Sequence, residues 1–393
     1  MKQSKVSLVV SDLSQSGAGR WGGAVRTFLL AQALQKLGYE VEIVGFVFGD
    51  VSDTVVSTEF SITTVCGKNY PGFVTSMEQV LSKISGDIVY AIKPKPTSFG
   101  TALLKKLRSR CPVILDIDDW ELSWYGGEQW RYRPQPKQFF RDILKSDGAL
   151  RQPDHPLYLK WIENFVNYAD AVTIHTQFLQ KRFGGTYVPN GKDTSLFDPQ
   201  QHNPENSRIR LNLADYRVLM FPGAPRPYKG LEDVLMALDY LNEPDLRLVI
   251  VGGSPYDDYD DKLIQKWGRW IIKLPKIPHQ AMPEVIAAAH VVVVPQRDTP
   301  AAQAQFPLKL TDGMAMAKPV LATRVGDIAE ILGGTGYLVE PDSPKQIAEQ
   351  IQYIFQNMEE ANNRGHQARA RCVEHYSIDS MSTILSDVIK SIG

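Results

Sequence analysis

A cation and a carboxylate three residues apart, Lys309 and Asp312, follow a stretch that is typical of a buried strand. The strand is predicted at 290–294, where four valines follow one another, and a helix is predicted at 307–317. The start of a helix attracts anions, because its first N–H groups are unpaired and its dipole favours negative charge. A cation for phosphate and an acid for sugar hydroxyls would together bind a nucleotide.

Two further cations, Arg226 and Lys229, lie in a proline-rich loop between a strand predicted at 217–221 and a helix predicted at 230–241. The carboxyl ends of parallel strands meet at one edge of a sheet, so we expect this loop to open toward the same edge as Lys309. A guanidinium can bind two phosphate oxygens and an ammonium acts as a point charge, so the three cations suit a diphosphate. The alternative is a loop with ordinary surface cations.

Three acids, Asp116, Asp118 and Asp119, end an apolar strand that begins at about residue 112. Carboxylates at the carboxyl edge of a sheet could coordinate a cation, act as a base or bind sugar hydroxyls. One of them could instead cap the next helix. We favour Asp118 for the direct functional role.

Strands and helices alternate along the chain, and this alternation positions the charged side chains. Short apolar runs at 6–10, 41–46 and 88–92 predict strands, and the pattern restarts at 217–221 and 246–251. A strand, a helix and a strand within about 40 residues form a βαβ unit, which predicts a parallel sheet. A chain of 393 residues is too long for one ordinary core. We therefore expect an α/β fold with two doubly wound, Rossmann-like domains facing across a cleft.

The domains are predicted at 1–200 and 201–375, with a polar, proline-containing linker at 198–206. A C-terminal helix at 376–393 is expected to pack back on the N-terminal domain. Residues 120–161 form an aromatic-rich insertion in the first domain, and aromatic rings stack on sugars. The insertion is therefore our candidate for binding an acceptor, through the tryptophans Trp120, Trp124 and Trp130.

A basic stripe and an apolar face share one short predicted helix within the insertion. The cations are four residues apart and the apolar side chains occupy the neighbouring face: Lys137, Arg141 and Lys145, with Phe140, Ile143 and Leu144. Such a helix could rest on an anionic membrane surface or hold an anionic acceptor. The alternative is a solvated helix that packs its aromatic residues onto the domain.

Composition sets the broad class of the protein. A net charge of −1 gives no argument for nucleic acid as a partner. The three cysteines have no metal-ligand spacing, which favours free thiols in a reducing compartment. The first twelve residues have an apolar core only at 6–10, too short for a signal peptide or a membrane span. We expect a cytoplasmic protein.

A glycine-rich loop precedes the first predicted helix, and Gly17, Gly19 and Gly22 match G-x-G-x-x-G literally. The dinucleotide fingerprint places its first glycine directly after the strand and an acid at the end of the second strand, and neither is found here. A nicotinamide dehydrogenase is therefore disfavoured. We interpret Gly22 and Gly23 as a loop whose backbone N–H groups approach an anion, with a plain connection as the alternative.

The order of these motifs resembles that of the retaining glycosyltransferases of the GT-B fold, family 4, also called glycosyl transferases group 1. Four segments carry the resemblance: the Gly22-Gly23 loop, ADAVTIHTQFLQKRF followed by VPNGKDTSLFDP, Arg226 with Lys229-Gly230, and FPLKLTDGMAMAKPVLAT. The resemblance implies transfer of a sugar, a hexose in our reading, from a nucleotide-diphosphate donor to a saccharide or lipid-linked acceptor with retention of configuration. It implies neither a cofactor nor a metal. The expected location is the cytoplasm, including the inner face of the membrane.

The resemblance also assigns roles to particular residues. Arg226 and Lys229 would hold the diphosphate and act in catalysis with Asp118, and Asp312 would bind the ribose hydroxyls. The expected donor site is completed by Gly22, Gly23, Lys309 and Leu310.

Two positions depart from the family pattern. Ala304 stands where the first acid of E-x7-E is expected, so that a sugar contact falls to Asp298, Gln303 or Gln305. Asp118 stands near the position where a histidine is common. A catalytically inactive nucleotide-sugar-binding subunit and a GT-B nucleotide-sugar epimerase are therefore the alternatives.

Overall fold

The computed structural model describes residues 4–15, 23–254 and 257–392. The chain divides into two compact units: unit 1 takes the residues up to Pro189 together with those from Met381 onward, and unit 2 takes Asn190–Ser380. In the described ranges, no helix is both long enough and apolar enough to pass through a bilayer.

Unit 1 is built on a parallel sheet that has seven strands in the part of the chain described. The strands are β1 (Lys5–Val10), β2 (Glu40–Val47), β3 (Ser61–Cys66), β4 (Ile88–Ile92), β5 (Val113–Ile117), β6 (Ala171–Ile174) and β7 (Thr186–Tyr187). Their order across the sheet is β3-β2-β1-β4-β5-β6-β7. The helices are α1 (Gly23–Lys36), α2 (Phe73–Lys83), α3 (Thr101–Ser109), α4 (Pro136–Leu144), α5 (Pro156–Ile162) and α6 (Gln177–Phe183).

Unit 2 repeats this plan with six described parallel strands. They are β8 (Arg217–Phe221), β9 (Leu246–Val251), β10 (Ile271–Leu274), β11 (Val291–Val294), β12 (Val320–Thr323) and β13 (Tyr337–Val339), in the order β10-β9-β8-β11-β12-β13. The helices are α7 (Pro204–Arg210), α8 (Leu231–Leu241), α9 (Tyr259–Trp267), α10 (Met282–Ala287), α11 (Pro300–Gln303), α12 (Leu308–Ala315), α13 (Ile328–Leu332), α14 (Pro344–Gln356) and α15 (Met358–Tyr376). A last helix, α16 (Ile378–Lys390), continues into the residues that belong to unit 1.

The valine run at 291–294 shows why the second sheet is buried on both faces. Val292 and Val294 pack into the hydrophobic core on one face, and Val291 and Val293 pack into the core on the other. Successive side chains of a strand point to opposite faces, so a sheet covered by helices on both sides needs an unbroken apolar run. The predicted doubly wound α/β fold is confirmed in both units.

Both sheets reverse their strand order at one place, between β1 and β4 in unit 1 and between β8 and β11 in unit 2. Ligands of open α/β sheets bind beyond the carboxyl ends of the strands at this switch point. The loops after these strands are therefore where the fold itself predicts a site.

The structure divides the chain at 189/190 and 380/381, whereas we predicted boundaries at 200/201 and 375/376. The segment after Pro189 groups with unit 2 because Lys192 exchanges backbone hydrogen bonds with Tyr376 and Ile378. Phe197 is fully buried in the unit 2 core.

Candidate functional site

The loops that follow β8 and β11 lie directly against each other at the switch point of unit 2. Gly230 has a φ of +68°, and a Cβ atom there would come within 1.9 Å of the carbonyl oxygen of Pro295. Only glycine combines this backbone conformation with so close an approach. The loop that carries Arg226 and Lys229 is thereby fixed beside the loop that leads to α11 and α12.

Lys309, in the first turn of α12, reaches back to the end of β8. Its Nζ atom lies 4.9 Å from the centre of the Phe221 ring, and its chain occupies the space that a side chain at Gly223 would need. Burial lowers the pKa of Lys309; among its charged neighbours, Asp312 raises this pKa and Arg226 lowers it. The structure thus brings Arg226, Lys309 and Asp312 together, as the sequence predicted.

Lys229 meets the loop after β11 through Gln305. Its Nζ atom donates a hydrogen bond to Gln305 Oε1 over 3.2 Å, and the Tyr228 hydroxyl donates to the same oxygen over 3.3 Å. Ala304, at the position expected to be acidic, is fully buried. Asp298, Gln303 and Gln305 are the candidate replacements for the acid expected at position 304. Among the contacts of the described residues, Gln305 is hydrogen-bonded to Lys229, a predicted donor-binding residue.

Sequence reasoning missed a fourth cation, Lys192. It is buried, forms an ion pair with Asp312 and lies over the Phe197 ring, 4.0 Å from its centre. The signal was present in the PNGKD segment, but 120 residues separate Lys192 from Asp312. No local pattern could connect the two.

The candidate site residues of unit 2, taken by themselves, carry a net positive charge. Arg226, Lys229, Lys309 and Lys192 carry four positive charges, and Asp312 carries one negative charge, which leaves a formal sum of +3. Such a group attracts a multiply charged anion of the size of a diphosphate. The Leu310 side chain is buried in the core, so that only its backbone could meet a ligand.

In unit 1, Asp116 has a structural role. The Arg26 guanidinium donates two hydrogen bonds to its carboxylate over 2.8 and 3.0 Å, and the Thr173 hydroxyl donates a third over 2.7 Å. All three side chains are buried. This network ties α1 to β5 and β6.

Asp118 and Asp119 have hydrogen-bonding capacity that the described residues do not use. Oδ1 of each is buried without a hydrogen-bond partner in the described part of the chain. Lys93 Nζ lies 3.5 Å from Asp118 Oδ1, but its hydrogen bond goes to Glu121, over 2.7 Å. Burial raises the pKa of Asp118. An oxygen in this state can accept a hydrogen bond from a ligand hydroxyl without losing a protein contact.

The three tryptophans differ in what they offer to a ligand. Trp120 is buried, and the Arg182 guanidinium lies 4.1 Å from the centre of its ring. Trp124 donates from Nε1 to Asp119 Oδ2 over 2.9 Å, and Trp130 contacts the ring of His155 edge to face. Trp124 is thus hydrogen-bonded to one of the two aspartates, Asp119, that follow β5.

The glycine loop is described only in part. Gly23 is the first residue of α1. Gly22 lies outside the described residues, so its predicted role stays a prediction.

The buried carboxyl group of Asp119 predicts that the stability of the protein depends on pH. Burial raises the pKa of Asp119 to about 7, whereas an unfolded aspartate titrates near pH 3.9. Folding therefore favours the protonated form: the stabilisation is fully present below about pH 4 and is lost as the pH rises through 7. Asparagine cannot ionise, so the Asp119→Asn protein should not lose this stabilisation at high pH. The difference in the free energy of unfolding between the variant and the wild type should therefore shift in favour of the variant by roughly 2–4 kcal/mol from pH 4 to pH 8. Urea titrations over this range measure the difference, and parallel curves for the two proteins would contradict the assignment.

Comparison with known proteins identifies the second unit. Residues 216–357, which include Arg226, Lys229, Lys309 and Asp312, match the family described as glycosyl transferases group 1. This segment is therefore similar to the glycosyl transferases of group 1.

Relatives of the chain carry glycosyltransferase names. An uncharacterized glycosyltransferase of Methanocaldococcus jannaschii is 30% identical over 44% of this chain and 48% of its own length. An MMP α-(1→4)-mannosyltransferase of Mycolicibacterium hassiacum is 24% identical over 72% of this chain and 66% of its own. The chain thus spans about half to two thirds of the length of these curated relatives.

A solved structure covers almost the whole chain. Anabaena HepE in complex with UDP aligns with 98% of this chain and 100% of its own, with a TM-score of 0.73 and 16% identity. This likeness concerns the fold alone, and it supports the prediction of two doubly wound domains of the GT-B class.

Proposed function

We propose that the protein is a glycosyltransferase that moves a sugar from a nucleotide-diphosphate donor to a saccharide or lipid-linked acceptor. The observation that carries the proposal is the convergence of Arg226, Lys229 and Lys309 at the switch point of unit 2. The UDP complex of HepE supports a nucleotide-linked donor.

In the proposed reaction the bond between the anomeric carbon and the diphosphate oxygen breaks, and a bond from that carbon to an acceptor oxygen forms. The acceptor proton passes to the departing phosphate oxygen, which leaves on the face that the acceptor enters. Negative charge grows on the diphosphate as it departs, so Arg226 and Lys229 stabilise the transition state more than the ground state. This geometry retains the anomeric configuration.

Each remaining residue binds one part of the substrates in the proposed mechanism. Asp312 accepts hydrogen bonds from the ribose hydroxyls, and Gln305, next to Lys229, takes the sugar contact that Ala304 cannot make. In unit 1, Asp118 orients an acceptor hydroxyl through Oδ1, which lies 3.5 Å from Lys93 Nζ and accepts no hydrogen bond from the described residues. Trp124 and Trp130 supply rings for acceptor stacking.

The same proposal covers metal use and location. The +3 group of side chains offsets the charge of the leaving diphosphate, so we propose that the reaction needs no metal ion. Cys66, Cys111 and Cys372 are free thiols, which supports a cytoplasmic enzyme.

A transfer assay tests the proposal. The protein is incubated with UDP-, GDP- and ADP-hexoses and a mixture of saccharide and lipid-linked acceptors. Release of nucleoside diphosphate with formation of a glycosylated product is expected, and proton NMR of that product reports its anomeric configuration. Binding of a nucleotide sugar without transfer would favour the inactive subunit, and interconversion of two nucleotide sugars would favour the epimerase.

Lys192 provides a sharper test of how the ribose is bound. Because Lys192 holds the Asp312 carboxylate, Lys192→Met should loosen that carboxylate while leaving Arg226, Lys229 and Lys309 in place. We expect the preference for a ribonucleoside diphosphate over its 2′- or 3′-deoxy form to fall about tenfold, the equivalent of one hydrogen bond to a charged group. Lys192→Arg should keep most of the preference. An unchanged preference in the Lys192→Met protein would mean that the pair with Asp312 has only a structural role.

A further inference from the structure

Helix α4 (Pro136–Leu144) lies on unit 1 with its polar side inward. Asp142 is only 2% exposed, and it accepts hydrogen bonds from the Tyr132 hydroxyl and the Gln138 amide, each over 2.6 Å. The apolar side chains point the other way: Phe140 is 61% and Leu144 71% exposed. The expectation that this helix packs its aromatic residues onto the domain is therefore wrong. The hydrogen bond from Tyr132, whose ring packs edge to face against His155, holds Asp142 toward the domain.

The exposed apolar side chains form one continuous face. At about 100° per residue, Phe139, Phe140, Ile143 and Leu144 fall within an arc of about 140°. Asp142 lies about 130° from the middle of that arc. Asp142 and the apolar side chains therefore lie on different faces of the helix. The apolar face is exposed and available to a partner.

Cations lie on one side of this face and in the segment that precedes the helix. Residues 131–145 contain five cations and one acid, the buried Asp142, so the segment carries a charge of +4 although the whole chain carries −1. All five are exposed: Arg131, Arg133, Lys137, Arg141 and Lys145. Arg141 also pairs with Asp147 over 2.7 Å. A partner for this surface must offer apolar groups to the helix face and anionic groups beside it.

We propose that α4 docks the protein on the surface of an anionic lipid bilayer. The nine residues of the helix span about 14 Å, less than half of the hydrocarbon core, so the helix lies in the plane of the interface. Its apolar face enters the acyl boundary, and its lysines and arginines contact the anionic headgroups. A second copy of the chain suits this surface poorly, because a symmetric pairing would bring two +4 segments together. The proposal is independent of the sugar-transfer chemistry.

Co-sedimentation of the full chain with vesicles tests this docking. One set of vesicles contains phosphatidylcholine alone, and the other contains equal parts of phosphatidylcholine and phosphatidylglycerol. We expect binding to the anionic vesicles at least about tenfold stronger than to the neutral ones, and weakened by high salt. Phe140→Ser with Leu144→Ser should lower that binding about tenfold or more. Lys137→Gln with Lys145→Gln should lower the preference for the anionic vesicles.

A matched control removes two apolar side chains of similar exposure in unit 2. Ile209 is 63% and Tyr240 58% exposed, and Ile209→Ser with Tyr240→Ser should leave vesicle binding unchanged. Circular dichroism checks that each variant is folded. Absence of binding to the anionic vesicles overturns the proposal, as does equal binding by the wild type and the Phe140→Ser/Leu144→Ser protein. A dimer in solution that this double variant dissociates would also overturn it, since the face would then join two copies.

Discussion

Lys229→Ala is expected to lower kcat for sugar transfer about 100-fold or more, and Arg226→Ala to do the same. Both cations stand where the fold places a ligand, on a loop held by the contact of Gly230 with Pro295. In the proposed mechanism they meet negative charge that grows as the diphosphate departs. The loss should therefore fall mainly on kcat, with a smaller change in KM for the donor.

A control for this prediction is Lys345→Ala, which removes an exposed cation at the start of α14 in the same unit. Its kcat should match that of the wild type. Near-normal turnover by the purified Lys229→Ala or Arg226→Ala protein would contradict the assignment of the diphosphate site.

Asp116→Ala is expected to give the largest loss of stability, about 3–5 kcal/mol in the free energy of unfolding. The substitution leaves the Arg26 guanidinium buried without the carboxylate that now accepts two of its hydrogen bonds. It also removes the acceptor of the Thr173 hydroxyl. A buried charge without its partner costs far more than the pair contributes when intact.

Urea unfolding measures this loss, and an exposed ion pair serves as the control. Glu78→Ala breaks the pair with Arg108 on the surface of unit 1 and should leave the free energy of unfolding nearly unchanged. Replacing both buried partners, by Arg26→Met with Asp116→Leu, should recover part of the stability that Asp116→Ala loses. A loss from Asp116→Ala no larger than that from Glu78→Ala would show that the Arg26 network does not hold α1 to the sheet.

The sheets could be predicted because their strands are short apolar runs. The strands predicted at 88–92, 217–221 and 246–251 match β4, β8 and β9 residue for residue. The edge strand β3 was not predicted, because its SITTVC sequence is half polar and mostly only partly buried. A strand that is buried on both faces needs an unbroken apolar sequence, which can be recognised. An edge strand does not need one.

The site could be predicted only where its residues follow strand ends. Arg226 and Lys229 lie in the loop after β8, and Lys309 lies in the first turn of the helix that follows the loop after β11. Lys192 could not be connected to Asp312, because their ion pair depends on how the segment after Pro189 packs against α15 and α16.

The orientation of α4 was equally hidden. The periodicity gave its apolar face and its basic stripe, but it did not say which face turns inward. That choice depends on the burial of Asp142 and on its hydrogen bond from Tyr132, whose ring packs against His155.

The central claim, a diphosphate site built from Arg226, Lys229 and Lys309, is tested most directly by calorimetric titration of the protein with UDP, GDP and ADP. At least one of them is expected to bind the wild type, and Arg226→Ala should weaken that binding by roughly tenfold or more, as loss of a charge-assisted contact does. Equal affinity of the wild type and the Arg226→Ala protein, or no binding of any of the three by the wild type, would contradict the account.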